Sequence, residues 1–189
     1  MSRISLVSKD NASPEVQEIF TKLENGGVKI LNLYRVLGHN ASLMRDFLRL
    51  GNSLLLRSGL SPKLRELAIM RVAILTRSKY EWAQHHAIAL ESGVTRQQIG
   101  ALSNWSYSNN FDEQEKAVLL YTDEVAQKID VKHDTFAALK KHLDERNILE
   151  LTLTVGYWLM VARLLIPLQV DVDKEVAGSS EELTGRKGA

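Results

Sequence analysis

The chain has 189 residues, 44% apolar and 25% charged, with a formal net charge of +1 and no cysteine. That length suits one domain with appendages and is enough to bury a core. The near-neutral balance gives no electrostatic case for nucleic acid or an anionic membrane as partner. The lack of cysteine excludes disulfides, thiolate zinc sites and every cysteine nucleophile.

The opening MSRISLVSKDNASPE holds no apolar run of signal-peptide length. The longest charge-free stretch, 151–162, is too short to span a bilayer, so a soluble cytoplasmic protein is expected. Ser13-Pro14 opens a helix that stops at Asn25-Gly26-Gly27. Residues 32–37 form a short helix ended by Gly38. Residues 42–57 repeat apolar side chains at Leu43, Phe47, Leu50, Leu54 and Leu55, an amphipathic helical pattern.

Ser61-Pro62 then starts a helix that is apolar almost all round from 64 to 75, interrupted by Arg65, Glu66 and Arg71. After a very short turn at Arg77 and Ser78, the run Ser78-Lys79-Tyr80-Glu81 has the form of a capping box. It opens a second helix with His85 one turn beyond Glu81, on the same face. Thr95 and Gln98 form another capping box. The turn-rich 103–111 carries Trp105 and Tyr107 as exposed-looking aromatics, suited to lie over a pocket or interface.

Asp112 and Glu115 cap a helix to about Ile129, residues 136–142 are helical, and 147–168 is a long apolar helix ended near Pro167. No segment alternates with period two, so the fold class is all-α. Residues 64–69 (LRELAI) are echoed by 148–153 (ILELTL), which suggests an internal pseudo-repeat of a buried helix pair. The expected organisation is an N-terminal extension with one helix over 1–31, a helical domain over 32–172 and a disordered tail over 173–189.

Glu66, Glu81 and His85 form an acid–base set close in sequence. A carboxylate beside imidazole orients its tautomer and stabilises its protonated form, as general acid–base work near neutral pH requires. Each residue also has a structural reading: His85 as a satisfied core histidine, Glu81 as a capping residue, Glu66 as the partner of Arg65, Arg71 or Arg163. No further His or Asp stands at ligand spacing, so no metal site is expected. No glycine-rich phosphate loop appears.

Glu66 in RELAIMRVA, with Tyr80-Glu81-Trp82 and His85 before Gly93, resembles the carboxymuconolactone decarboxylase family, which includes the alkyl hydroperoxidase D (AhpD) type proteins. The resemblance covers roughly residues 32–172. In the peroxidase branch two cysteines precede the histidine as C-x-x-C-x-x-x-H. Here those positions hold Ser78 and Glu81, so the chain resembles a branch lacking the peroxidatic cysteines.

The resemblance implies an AhpD-like helical fold and a cofactor-free lyase acting on a small carboxylated lactone or related organic acid, by decarboxylation or proton transfer. In that scheme His85 supplies the proton, Glu81 orients His85 and Glu66 completes the relay. Arg71 or Arg77 holds a substrate carboxylate, and Tyr80 and Trp82 form pocket wall. The resemblance also implies a homo-oligomer. Two other readings stand beside it: a peroxidase by family label, with no cysteine to carry the reaction, and a non-catalytic helical oligomer or binding module.

Overall fold

The structure is a computed structural model that describes residues 2–178. Among them are nine α-helices and no strand: α1 Pro14–Asn25, α2 Asn32–Leu37, α3 Ala41–Leu56, α4 Pro62–Thr76, α5 Lys79–Glu91, α6 Arg96–Ala101, α7 Glu113–Lys128, α8 His133–Lys140 and α9 Glu145–Leu165. Caps written in the sequence set most of the starts. Ser13 accepts from Val16 N, Asn40 from Leu43 N and Asp144 from Asn147 N. Thr95–Gln98 and Asp112–Glu115 form reciprocal capping boxes.

α4 is the axis of the fold. Every residue from Leu64 to Ala73 on it is buried, charged ones included, because α5, α7 and α9 pack around it. That explains a sequence apolar on all sides instead of along one stripe. α9 is 21 residues long with mean hydropathy 1.5, enough by length and composition to cross a bilayer. More than half of it is nevertheless buried within the protein, the pattern of a core helix. The charge-free stretch 151–162 therefore understates the apolar length of this helix.

The N-terminal extension packs onto the domain: Val7, Val16 and Phe20 close a second, smaller core against Met44 of α3. At the other end the chain stays ordered past residue 173. Asp173 is buried and accepts from Asn32 N at 2.9 Å, Gln84 Nε2 at 2.8 Å and the Tyr80 hydroxyl. Residues 174–178 form a 3-10 turn. The tail expected from residue 173 thus begins with an anchored segment, since a carboxylate with three donors is held in place whatever the flexible composition around it. The remainder of that tail lies outside the described residues.

The loop at 103–111 also differs from expectation. Residues 102–107 form a 3-10 helix in which Trp105 is buried and donates from Nε1 to Asp123 Oδ2 at 3.0 Å. Only Tyr107 stands out in solvent, at 93% exposure. The echoed segments around Glu66 and Glu150 lie on helices that pack together, α4 and α9. Their glutamates do unlike work. Glu150 accepts from Ser58 Oγ, Gly59 N and Leu60 N and ties down the loop before α4, whereas Glu66 faces α5.

Candidate active site

α4 stops because Arg77 takes a left-handed φ of 56° and the Ser78 amide turns back to the Ala73 carbonyl at 2.9 Å. The chain reverses at once, and α5 packs back along α4. Glu66, near the start of α4, therefore meets His85 on α5. Glu66 Oε2 lies 2.8 Å from His85 Nδ1, with Glu66 wholly buried and His85 nearly so. From α9, Trp158 Nε1–H donates to His85 Nε2 at 2.9 Å.

An indole nitrogen only donates, so His85 Nε2 is the acceptor and the ring proton sits on Nδ1, directed at Glu66. Both imidazole nitrogens are occupied. Arg65 Nε stands 3.5 Å from the other Glu66 oxygen, near enough to act as an ion pair but without hydrogen-bond geometry.

Glu81 is placed differently from the sequence expectation. Ser78 Oγ accepts from Glu81 N at 3.4 Å, but the box is not reciprocal, because the Ser78 amide is already given to Ala73. Glu66, not Glu81, is the carboxylate hydrogen-bonded to His85. The Glu81 carboxyl is 3% exposed and its Oε2 has no hydrogen-bond partner. Burial pushes it well above the ordinary carboxylate range, so it is a carboxylic acid, neutral where an exposed glutamate would be ionised.

Glu81 and His85 face a cavity of about 140 Å³ between α3, α5 and α9. Its wall is mostly apolar and aromatic, including Leu33, Phe47, Leu55, Tyr157, Trp158 and Val161. A cavity of roughly 150 Å³ accepts benzene, so this one admits a single five- or six-membered ring. Asn52 and Ile88, both exposed, mark its outer rim. No Lys or Arg lines it.

Of the other expected site residues only Tyr80 is on the cavity wall. Its phenol donates to Asp173 and accepts from Leu33 N at 3.2 Å. Burial, reinforced by the bond to Asp173, holds it above the ordinary tyrosine range. Trp82 is buried away from the cavity, its ring 6.3 Å from that of His86. Arg71 is a structural clamp: Nε and Nη2 hold Asp123 of α7 at 2.6 and 3.0 Å, and Nη1 holds the Leu102 carbonyl at 2.9 Å. With all three guanidinium nitrogens engaged and the residue buried off the cavity wall, Arg71 is not placed to hold a substrate there. Arg77 is the exposed helix stop.

Sequence reasoning missed Trp158, Tyr157 and Gly51. A Trp-containing apolar helix says only that the indole is buried. Gly51 did leave a signal, as a glycine inside an amphipathic helix. A Cβ there would lie 2.5 Å from the Tyr157 hydroxyl oxygen, which donates to the Phe47 carbonyl at 3.0 Å. Glycine is what lets α9 bring Tyr157 against α3.

The model of the carboxymuconolactone decarboxylase family matches residues 41–124, which contain Glu66, Glu81 and His85. No curated protein matches the sequence. Among solved structures, the chain is similar to an uncharacterized peroxidase-related protein from Silicibacter sp. TM1040, at 19% identity over 95% of each chain with a TM-score of 0.79. It is also similar to a peroxidase-related protein with an alkylhydroperoxidase AhpD core from Ralstonia eutropha JMP134, at 17% identity over 93% of this chain and 94% of that one, TM-score 0.79.

A cysteine-to-alanine variant of the debrominase Bmp8, in complex with 2,3,4-tribromopyrrole, aligns at 16% identity over 97% of this chain and 100% of that one, TM-score 0.80. At these identities the likeness is one of fold. The family model spans the helix pair that carries Glu66, Glu81 and His85 but less than half of the chain; what the comparisons establish together is an AhpD-like helical fold, in a sequence with no cysteine.

Proposed function

We propose that the protein is an acid–base enzyme that delivers a proton to carbon on a small, single-ring carbonyl compound, with Glu81 as the proton donor. The observation that carries this reading is the neutral, unpartnered Glu81 carboxyl on the wall of a ring-sized cavity. A desolvated carboxylic acid keeps its proton where an exposed glutamate has lost it, and so has one to donate to a carbanion-like centre. The Glu81 proton goes to the enolate carbon, the enolate C=C electron pair forms the new C–H bond, and the carbonyl re-forms. Glu81 is left as a carboxylate and recovers its proton from water at the rim. The enolate forms by the reverse step, in which the Glu81 carboxylate takes a proton from the carbon next to the carbonyl and the C–H electron pair becomes the enolate C=C, so the two steps together exchange or move that proton.

His85 is a positioning residue in this reading. Its two nitrogens are engaged by Glu66 and Trp158, so it holds α4, α5 and α9 in register and shapes the cavity wall. The absence of a cation along the wall favours an uncharged ring in the cavity, since a buried carboxylate beside Glu81 and Glu66 would be unpaired. The tribromopyrrole bound by the debrominase is a single ring of that size class. Thiol-dependent peroxide reduction is closed to a chain with no cysteine.

The test is deuterium incorporation, followed by proton NMR in heavy water, across a panel of unsaturated lactones and cyclic ketones. Exchange next to the carbonyl faster than in buffer, falling by a factor of roughly 10² or more in Glu81→Gln, is expected. Exchange that survives Glu81→Gln, or no acceleration with any ring, would overturn the assignment.

A further inference from the structure

Outside the cavity runs a groove of about 410 Å³ between α1 and α3, lined by Lys22, Arg45, Arg49, Asn52, Ser53 and Arg57 among others. Leu48 and Asn52 line both spaces. One helix explains the arrangement. Phe47, Gly51 and Leu55 of α3 face the cavity, Leu48 and Asn52 form the ridge, and Arg45, Arg49, Ser53 and Arg57 follow at four-residue steps on the groove side. Arg45 and Arg49, one turn apart, repel along their helix, so that pair works against local helix stability.

Lys22 is tied to Glu18 at 2.6 Å, and Arg45 has Glu15 and Glu18 of α1 within electrostatic reach. Among the described residues no ion pair engages Arg49 or Arg57, and no carboxylate lines the groove. The fold thus sets a ring-sized apolar cavity without cations against a wider cationic groove, separated by one ridge.

We propose that the α1–α3 groove is the anion-binding half of the substrate site. The ligand is an organic anion whose uncharged ring enters the cavity while a carboxylate, or a similar oxyanion on a short tether, crosses Leu48 and Asn52 to Arg45, Arg49 and Arg57. The guanidinium forks match a carboxylate. This rests on the cavity being the ring site and names the class of molecule it takes. It also supplies the arginine contact that Arg71 and Arg77 do not.

The experiment is calorimetric titration of the intact protein with phenylacetate, phenylpropionate and phenylbutyrate, each beside the alcohol of the same length. One tethered acid binds about tenfold tighter than its alcohol, the return from one or two partly exposed charge-assisted hydrogen bonds. That advantage shrinks toward one in the Arg45→Gln/Arg49→Gln double variant, and also between about 20 mM and about 500 mM salt. Glutamine forms helix as well as arginine, and circular dichroism with the melting temperature verifies the fold. Acids and alcohols binding alike, or an acid advantage that the double variant keeps, would refute the groove alone. Failure of every ring to bind would remove the cavity reading and this inference with it.

Discussion

Replacing Glu81 by glutamine tests the central physical claim without a substrate. The carboxyl is 3% exposed, and its pKa in the folded chain lies well above the ordinary value of 4.5. Between those two values the folded chain holds a proton that the unfolded chain has released. Stability therefore falls as pH rises through that window. Below about 4.5 both states are protonated and the contribution is fully present; above the folded value the loss is complete. One such group gives at most about 1.4 kcal/mol per pH unit.

Glutamine cannot ionise, so it abolishes this dependence. It also adds a constant penalty of about 1–3 kcal/mol, because its NH₂ group finds no acceptor where Glu81 has no partner. Urea unfolding of both proteins at several values from about pH 4 to about pH 8 gives the difference between them. Carboxylates held low elsewhere, such as Glu150 bonded to Ser58 and Arg146, cancel in that difference. The variant is expected to gain on the native protein steadily as pH rises above 4.5. A flat difference would mean that Glu81 is not a buried neutral acid. A difference moving against glutamine with rising pH would mean that it is an ionised, paired carboxylate.

Trp158→Phe keeps an aromatic ring, though a smaller one, and removes the donor to His85 Nε2; it is expected to cost about 1–3 kcal/mol in a urea melt. Gly51→Ala should destabilise by about 1–3 kcal/mol although alanine favours helix, because its Cβ meets the Tyr157 hydroxyl; a gain in melting temperature would contradict the packing described. With no cysteine, the protein should show no dithiol-coupled peroxide consumption at rates near 1 per second or above. Leu43, Leu56 and Leu149 are 64%, 78% and 59% exposed, so self-association is expected, and light scattering reporting only the 21.3 kDa monomer would count against it.

Helix positions were legible because their signals are local. Ser13-Pro14, Thr95–Gln98 and Asp112–Glu115 each decide a start within four residues, and the run 64–75 announces a helix buried on all sides. The meeting of Glu66 with His85 was legible too, since a turn as short as Arg77-Ser78 forces α5 back along α4. What local signals do not decide is which hydrogen-bond partner wins. The sequence offers Glu81 a capping role at Ser78, yet the Ala73 carbonyl takes that amide first. It likewise offers Arg71 to a substrate, yet Asp123, distant in sequence, takes the guanidinium. Both outcomes depend on tertiary competition for a donor.

That competition also separates the two carboxyls at the site. Glu66 and Glu81 both lie on helices packed around the core, and in the sequence they look alike. Glu66 has the His85 N–H at 2.8 Å and the Arg65 guanidinium at 3.5 Å. Glu81 has neither, and burial alone keeps it protonated. Two acids on adjacent helices thus have unlike surroundings, one engaged by His85 and the other without a hydrogen-bond partner at its buried oxygen. In the proposed mechanism Glu66 fixes the imidazole and Glu81 gives the proton. Trp158→Phe frees His85 Nε2 and Glu81→Gln removes the acidic proton, so the two variants separate the positioning role from proton delivery.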